Sequence, residues 1–245
     1  GAATADQTKL TPAAAASAAP SPALTASPSP SAPASPAATA TAAGSTLTDA
    51  QSGVLYVQLP SPWQGASCPS SLDIGAITWT AGEYAAAGQV NGGSMTWYGE
   101  ACSGPLPQQY GYSSTAQLQS TAENLAQTFG NAYYNALGHT VAGEQDRPVQ
   151  VSGHAGWEVS YDVSYNNPAQ GVTWADEQAA VVVVDSGAGN EPAVFFTSVP
   201  QNLNEANVTA LVSSLQLISA AGTPAATGTA SPVSAPAAGG VSANP

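Results

Sequence analysis

The chain has 245 residues and a formal net charge of −13 at pH 7, with 15 acidic residues against 2 basic ones. So few cations leave no basic patch to neutralise phosphates, which argues against a nucleic-acid partner, and no polybasic stretch to meet anionic lipid. No run is long and apolar enough to be read as a transmembrane segment.

Residues 1–48 are almost wholly Ala, Pro, Ser and Thr, and residues 220–245 have the same character. Neither stretch holds an aromatic residue, so neither can bury enough apolar surface to offset the entropy of ordering. Both read as disordered low-complexity tails. Extended at about 3.1 Å per residue, the first would act as a stalk or linker reaching on the order of 150 Å. Both are candidates for O-glycosylation. Their only charges, Asp6 and Lys9, cancel, so the whole net charge lies on residues 49–219. That middle part has the size of one domain, and its acidic surface reads as a solubility device.

The domain opens with "GVLYVQLPSPWQG" (53–65), a strand stopped by Pro60. Weak strand signals broken by glycines follow over 71–104, with "VNGGS" (90–94) as a hairpin turn. The clearest helix is 113–138. Leu118, Ala122, Leu125, Phe129, Ala132 and Ala136 recur on one face, Ser114 and Gln117 fit a capping box, and Gly138 suits the end. "PVQV" (148–151) and "WEVSYDVSY" (157–165) read as strands around "SGHAG". Along the second, Trp157, Val159, Tyr161, Val163 and Tyr165 alternate with Glu158, Ser160, Asp162 and Ser164, a half-buried strand with one wet face. "WADEQAAVVVVD" (174–185) and "AVFFTSVP" (193–200) form a hairpin through "SGAGNE". A closing helix is expected over 202–218, with Asn202 as cap, Glu205 three residues on, and Val208, Leu211, Val212 and Leu215 as its apolar stripe. The order strands, helix, strands, helix predicts an α+β domain: a curved antiparallel sheet with helices packed on one face.

"LPSPWQG", "PVQVSGHAGWEVSY", the "VVVVD…AVFFTSVP" hairpin and the closing "LVSSLQL", taken together over about residues 50–219, resemble the PsbP-like fold. Within it they resemble the LpqN-type and alanine/proline-rich secreted proteins of actinobacteria. The resemblance implies a curved antiparallel sheet with flanking helices, export to the envelope and an accessory or binding role. It carries over no catalytic residues, and the chain shows no lipobox cysteine.

Cys68 and Cys102 are the two cysteines, and a disulfide between them fits an oxidising compartment. A chain beginning at Gly1 rather than Met fits a processed exported protein, or one anchored in a membrane by a segment upstream of Gly1.

Catalytic constellations are scarce. His139 and His154 are the two histidines, and no G-x-S-x-G elbow occurs. His154 and Glu158 would stand about 13 Å apart on one strand face, too far for one metal ion, and "DSGAGNE" (185–191) lacks the EF-hand spacing. Glu158 and Asp162 are too far apart for paired-carboxylate chemistry, and Asp176 and Glu177 point oppositely. These carboxylates are assigned to a solvated sheet face. No catalytic, cofactor or metal residues are expected.

Five Trp and nine Tyr against three Phe tilt the domain toward amphipathic aromatics, which suit wet apolar grooves. His154, Trp157, Tyr161, Trp174 and Trp97 are the candidate ligand-binding residues, with Tyr98, Tyr133 and Tyr134 beside them. The reading is a non-catalytic exported cell-envelope binding or accessory domain on a flexible stalk. Its partner would be an envelope protein or a small apolar or sugar ligand. The alternative is an extracellular hydrolase with a site around His154.

Overall fold

The computed structural model of the chain describes residues 45–218, apart from 66, 75, 167–169 and 188. In chain order its strands are β1 (Thr46–Thr48), β2 (Val54–Val57), β3 (Gln64–Gly65), β4 (Ala81–Val90), β5 (Met95–Pro105), β6 (His139–Val151), β7 (His154–Tyr165), β8 (Asp176–Val184), β9 (Ala193–Pro200) and β10 (Gln216–Leu217). Helix α1 (Leu118–Tyr134) lies between β5 and β6, and α2 (Asn207–Ser213) between β9 and β10.

Ala179–Val184 is apolar at every position, and a strand apolar on both faces must be covered twice. That is what the topology provides. Seven strands pair in the order β3-β4-β5-β9-β8-β7-β6, every pair antiparallel. β8 and β9 sit well inside, and Ala179 to Val184 are all buried. On one face Ala179, Val181, Val183, Val194 and Phe196 pack with α1 residues Leu118, Ala122, Leu125 and Phe129. On the other, Ala180, Val182, Val184, Ala193 and Phe195 pack with Val208 and Leu211 of α2 and with Val54 and Tyr56 of β2. There β1 and β10 flank β2 in a second, three-stranded sheet.

The α+β class and the antiparallel sheet therefore stand as expected, but the two helices do not share a face. α2 lies opposite α1, because the closing segment follows β9 onto the side that the small sheet occupies. The helical stripe Leu118, Ala122, Leu125, Phe129 is buried as its spacing requires. Ala132 and Ala136 are exposed. Tyr133 and Tyr134 take their place, and each finds an acceptor for its hydroxyl, Leu72 O and Ser198 Oγ respectively. Phe129 is wholly buried with its ring centroid 4.8 Å from that of Phe196 and 5.6 Å from that of Trp79. Burial of a Phe side chain is worth about 1.5–3 kcal/mol.

Three further boundaries differ from expectation. Thr46–Thr48 pairs with β2, so the domain begins before Thr48; the rest of the Ala/Pro-rich flanks lies outside the described residues. Residues 139–147 belong to β6. As an edge strand it is exposed over most of its length and shows no apolar alternation. The closing helix is only α2: Asn204, at φ 68°, breaks the chain before it, and Asn202 donates to Ala87 O instead of capping. Its stripe survives, with Val208, Leu211 and Leu215 buried.

The hairpin at 90–94 is present. Asn91, Gly92 and Gly93 have φ of 53°, 69° and 86°, a left-handed run that two glycines make cheap. Cys68 and Cys102 are disulfide-bonded, and the sulfur bridge lies against Gly82. A Cβ at Gly82 would stand 2.8 Å from Ala101 O, so no side chain fits there.

Candidate functional site

Strand parity brings several polar groups into the α1-side core. On β8, Glu177 shares its face with Ala179, Val181 and Val183; on β9, Ser198 shares its face with Val194 and Phe196; on β5, Glu100 shares its face with Cys102. Both carboxyl side chains are buried, Glu177 at 1 % exposure and Glu100 at 3 %. The solvated sheet face expected for Glu177 is thus corrected. A strand whose parity is apolar takes its carboxylate inward with it.

Glu177 is held by three donors. Trp97 Nε1–H donates to Oε2 at 2.9 Å, Tyr165 O–H to Oε2 at 2.6 Å, and Ser198 O–H to Oε1. The Tyr134 and Ser198 hydroxyls are bonded in turn. Burial pushes the Glu177 carboxyl up to about 7, against the pull of its three donors. Glu100 has no such help: among the described residues nothing hydrogen-bonds its carboxylate. Burial first, and the nearby Glu177 second, raise it well above the usual range.

Glu100 lines a cavity of about 340 Å³, walled by Met95, Trp97, Tyr98, Tyr133, Tyr134 and Glu177 among others. That volume falls at the small end of ligand sites. The aromatic rings behind it are interlocked. Trp97 lies 6.5 Å from Trp174, 6.0 Å from Tyr165 and 6.3 Å from Tyr134, centroid to centroid, so the wall is rigidly backed.

Of the residues singled out in the sequence, Trp97 forms the wall, and Trp174 supports it with an indole N–H that has no partner among the described residues. Tyr161 packs edge-on against Tyr134 at 6.3 Å and lines a second cavity, about 410 Å³, between α1 and the β6–β7 hairpin. Trp157 is half-buried and donates to Asp146 Oδ1. His154 is the first residue of β7, whereas Tyr165, in the aromatic cluster, is the last. Its Nδ1 meets Asp185 O at 3.1 Å, and it lines neither cavity. The structure therefore brings Trp97 and Trp174 together, links Tyr161 to them only through Tyr134, and leaves His154 and Trp157 apart. Glu100, Glu177 and Ser198 were missed; their parity with apolar strand positions was the available signal.

Glu158 is corrected too. It is buried under the α2 side at 5 % side-chain exposure and gripped by Arg147, whose Nε and Nη2 donate to it at 2.9–3.1 Å. Among the described residues no group of three or more His, Cys, Asp and Glu is placed to hold a metal, and no helix is long and apolar enough to cross a membrane.

No protein-family model matches the chain, and no curated protein matches it in sequence. In structure the chain is similar to cyanobacterial PsbP (CyanoP) from Synechocystis sp. PCC 6803, known from its solution structure. The TM-score is 0.43 at 11 % identity, over 75 % of this chain and 98 % of that one.

Proposed function

We propose that the domain is a non-catalytic ligand-binding module of an exported cell-envelope protein, and that its ligand seat is the Glu100 cavity. The finer kinship, with LpqN-type and alanine/proline-rich secreted proteins of actinobacteria, belongs to the same reading and rests on the sequence resemblance. One observation carries the choice of site. A buried polar group without a hydrogen bond costs free energy and is rare in native proteins. The Glu100 side chain is buried at 3 % exposure, no hydrogen bond reaches its carboxylate among the described residues, and it borders a space large enough for a molecule to supply a partner. The disulfide supports export, since such bridges persist in oxidising compartments.

Intact mass of the protein purified from its native host tests the reading. Extra mass in native spectra that disappears on denaturing, and that is absent from an Ala132→Trp variant with the cavity filled, is the expected result. A bare mass for the native wild type would sink the reading and leave a macromolecular partner as the better account.

A further inference from the structure

We propose that the Glu100 cavity takes a small organic ammonium ion, its charge against the Glu100 carboxylate and its carbon substituents against Trp97, Tyr98 and Tyr133. This rests on the reading that the cavity is a ligand seat, and adds the chemical class of what sits there.

The charge balance comes first. Arg147 is the one Lys or Arg among the described residues, and it is bound to Glu158. The three donors near the cavity, Trp97, Tyr165 and Ser198, are committed to Glu177. The Tyr133 hydroxyl is committed to Leu72 O. No Lys or Arg among the described residues is left to pair with Glu100, so the site holds an ionised Glu100 only when a ligand brings the positive charge.

The walls select the kind of cation. A ring face carries negative potential and attracts ammonium groups, Trp most strongly, and the attraction grows when the site is desolvated. Trp97, Tyr98, Tyr133 and Tyr134 all border the space. A divalent metal is disfavoured, since calcium takes six to eight oxygens and the carboxylates lining this cavity are Glu100 and Glu177 alone. An alkylated nitrogen needs few hydrogen bonds and much apolar contact, which is what the lining offers. The acidic domain draws cations toward it in the same sense.

Binding is then linked to pH. The titratable groups facing Glu100 are Glu177 on β8, Tyr133 and Tyr134 on α1, Tyr161 and Tyr165 on β7, and Tyr84, its cross-strand neighbour on β4. None is a cation, so the empty site favours a neutral Glu100. An arriving ammonium ion favours the carboxylate, and a proton leaves for solvent.

Calorimetry on the full chain decides it, with choline and benzyltrimethylammonium set against their uncharged carbon isosteres, 3,3-dimethylbutanol and neopentylbenzene. At pH 8 at least one cation should bind tenfold or more tighter than its isostere. Its affinity should fall as pH drops from 8 to 5, and heats in buffers of different ionisation enthalpy should show a proton released. Glu100→Gln should weaken the cation at least tenfold and leave the isostere unchanged; the proton release in the wild type needs no variant. Equal binding of cation and isostere, abolished by Ala132→Trp, would overturn the ammonium assignment and keep the ligand seat. Binding of none of the four would overturn the ammonium assignment, and a bare native mass as well would remove the seat.

Discussion

Glu100 and Ser198 are directly paired across the β5–β9 ladder, yet the Ser198 hydroxyl gives its proton to Glu177. A hydroxyl has one proton to donate. With the Tyr134 hydroxyl also bonded to Ser198, the relay runs from α1 through β9 to β8 and bypasses β5. That no described residue donates to the Glu100 carboxylate is thus a consequence of how one serine is shared.

Stability should fall as pH rises from about 5 to 8. Glu177 and Glu83 are each raised from 4.5 to about 7, and Glu100 is raised well above its usual range, burial being the first cause in all three. A carboxyl raised on folding binds more protons in the native state than in the unfolded one. Its contribution is complete below about 4.5 and is lost as pH climbs through about 7. A fully buried group of this kind steepens the loss by at most about 1.4 kcal/mol per pH unit. Urea midpoints should be higher at pH 5 than at pH 8, and Glu177→Gln should flatten the trend. A midpoint that is flat or rising over that range would contradict the buried carboxyls.

Arg147 and Glu158 form a pair in which the arginine is 56 % exposed and the glutamate 5 %. Arg147→Met leaves a buried carboxylate without its donors, at a cost of about 1–3 kcal/mol. Adding Glu158→Met should recover more than half of that loss. Equilibrium unfolding of both single variants and the double variant closes the cycle. Strict additivity would show that the two side chains are not coupled.

The Cys68–Cys102 bridge spans a sequence separation of 34 residues. Replacing both by Ala should lower stability by about 3–4 kcal/mol in the chain-entropy model. The check is a urea midpoint shift for the double variant, together with an equal shift for wild type under reductant. Alkylation of two thiols in the unreduced protein would remove the premise.

The central hairpin and α1 were legible because their periods are strong: Ala179–Val184 is apolar throughout, and Leu118, Ala122, Leu125 and Phe129 mark one helical face. β6 was not, since an exposed edge strand has no buried side to impose alternation. Glu158 looked like the wet face of β7, and only the placement of α2 opposite α1 covers it. Glu100 and Glu177 lay on apolar parity in plain view. A carboxylate on such a position reads as a strand end until tertiary packing closes over it. The aromatic tilt singled out Trp97, Trp174 and Tyr161, of which Trp97 and Trp174 pack together and Tyr161 lines a separate cavity. His154 was attached to them by shared strand alone, and β7 is long enough to keep them apart.

The small sheet has a mechanical meaning. β1 and β10 both run antiparallel to β2, Thr46 lying opposite Val57 and Leu217 opposite Val54. Tension applied outward at residues 45 and 218 therefore pulls the two outer strands toward opposite ends of β2. The ladders are loaded in shear, so their bonds resist together rather than parting one at a time. Pulling single molecules through these two points should require more force than pulling through 45 and the β6–β7 turn at Gly153, where the edge hairpin can peel. The same force for both geometries would show that the clasp bears no load.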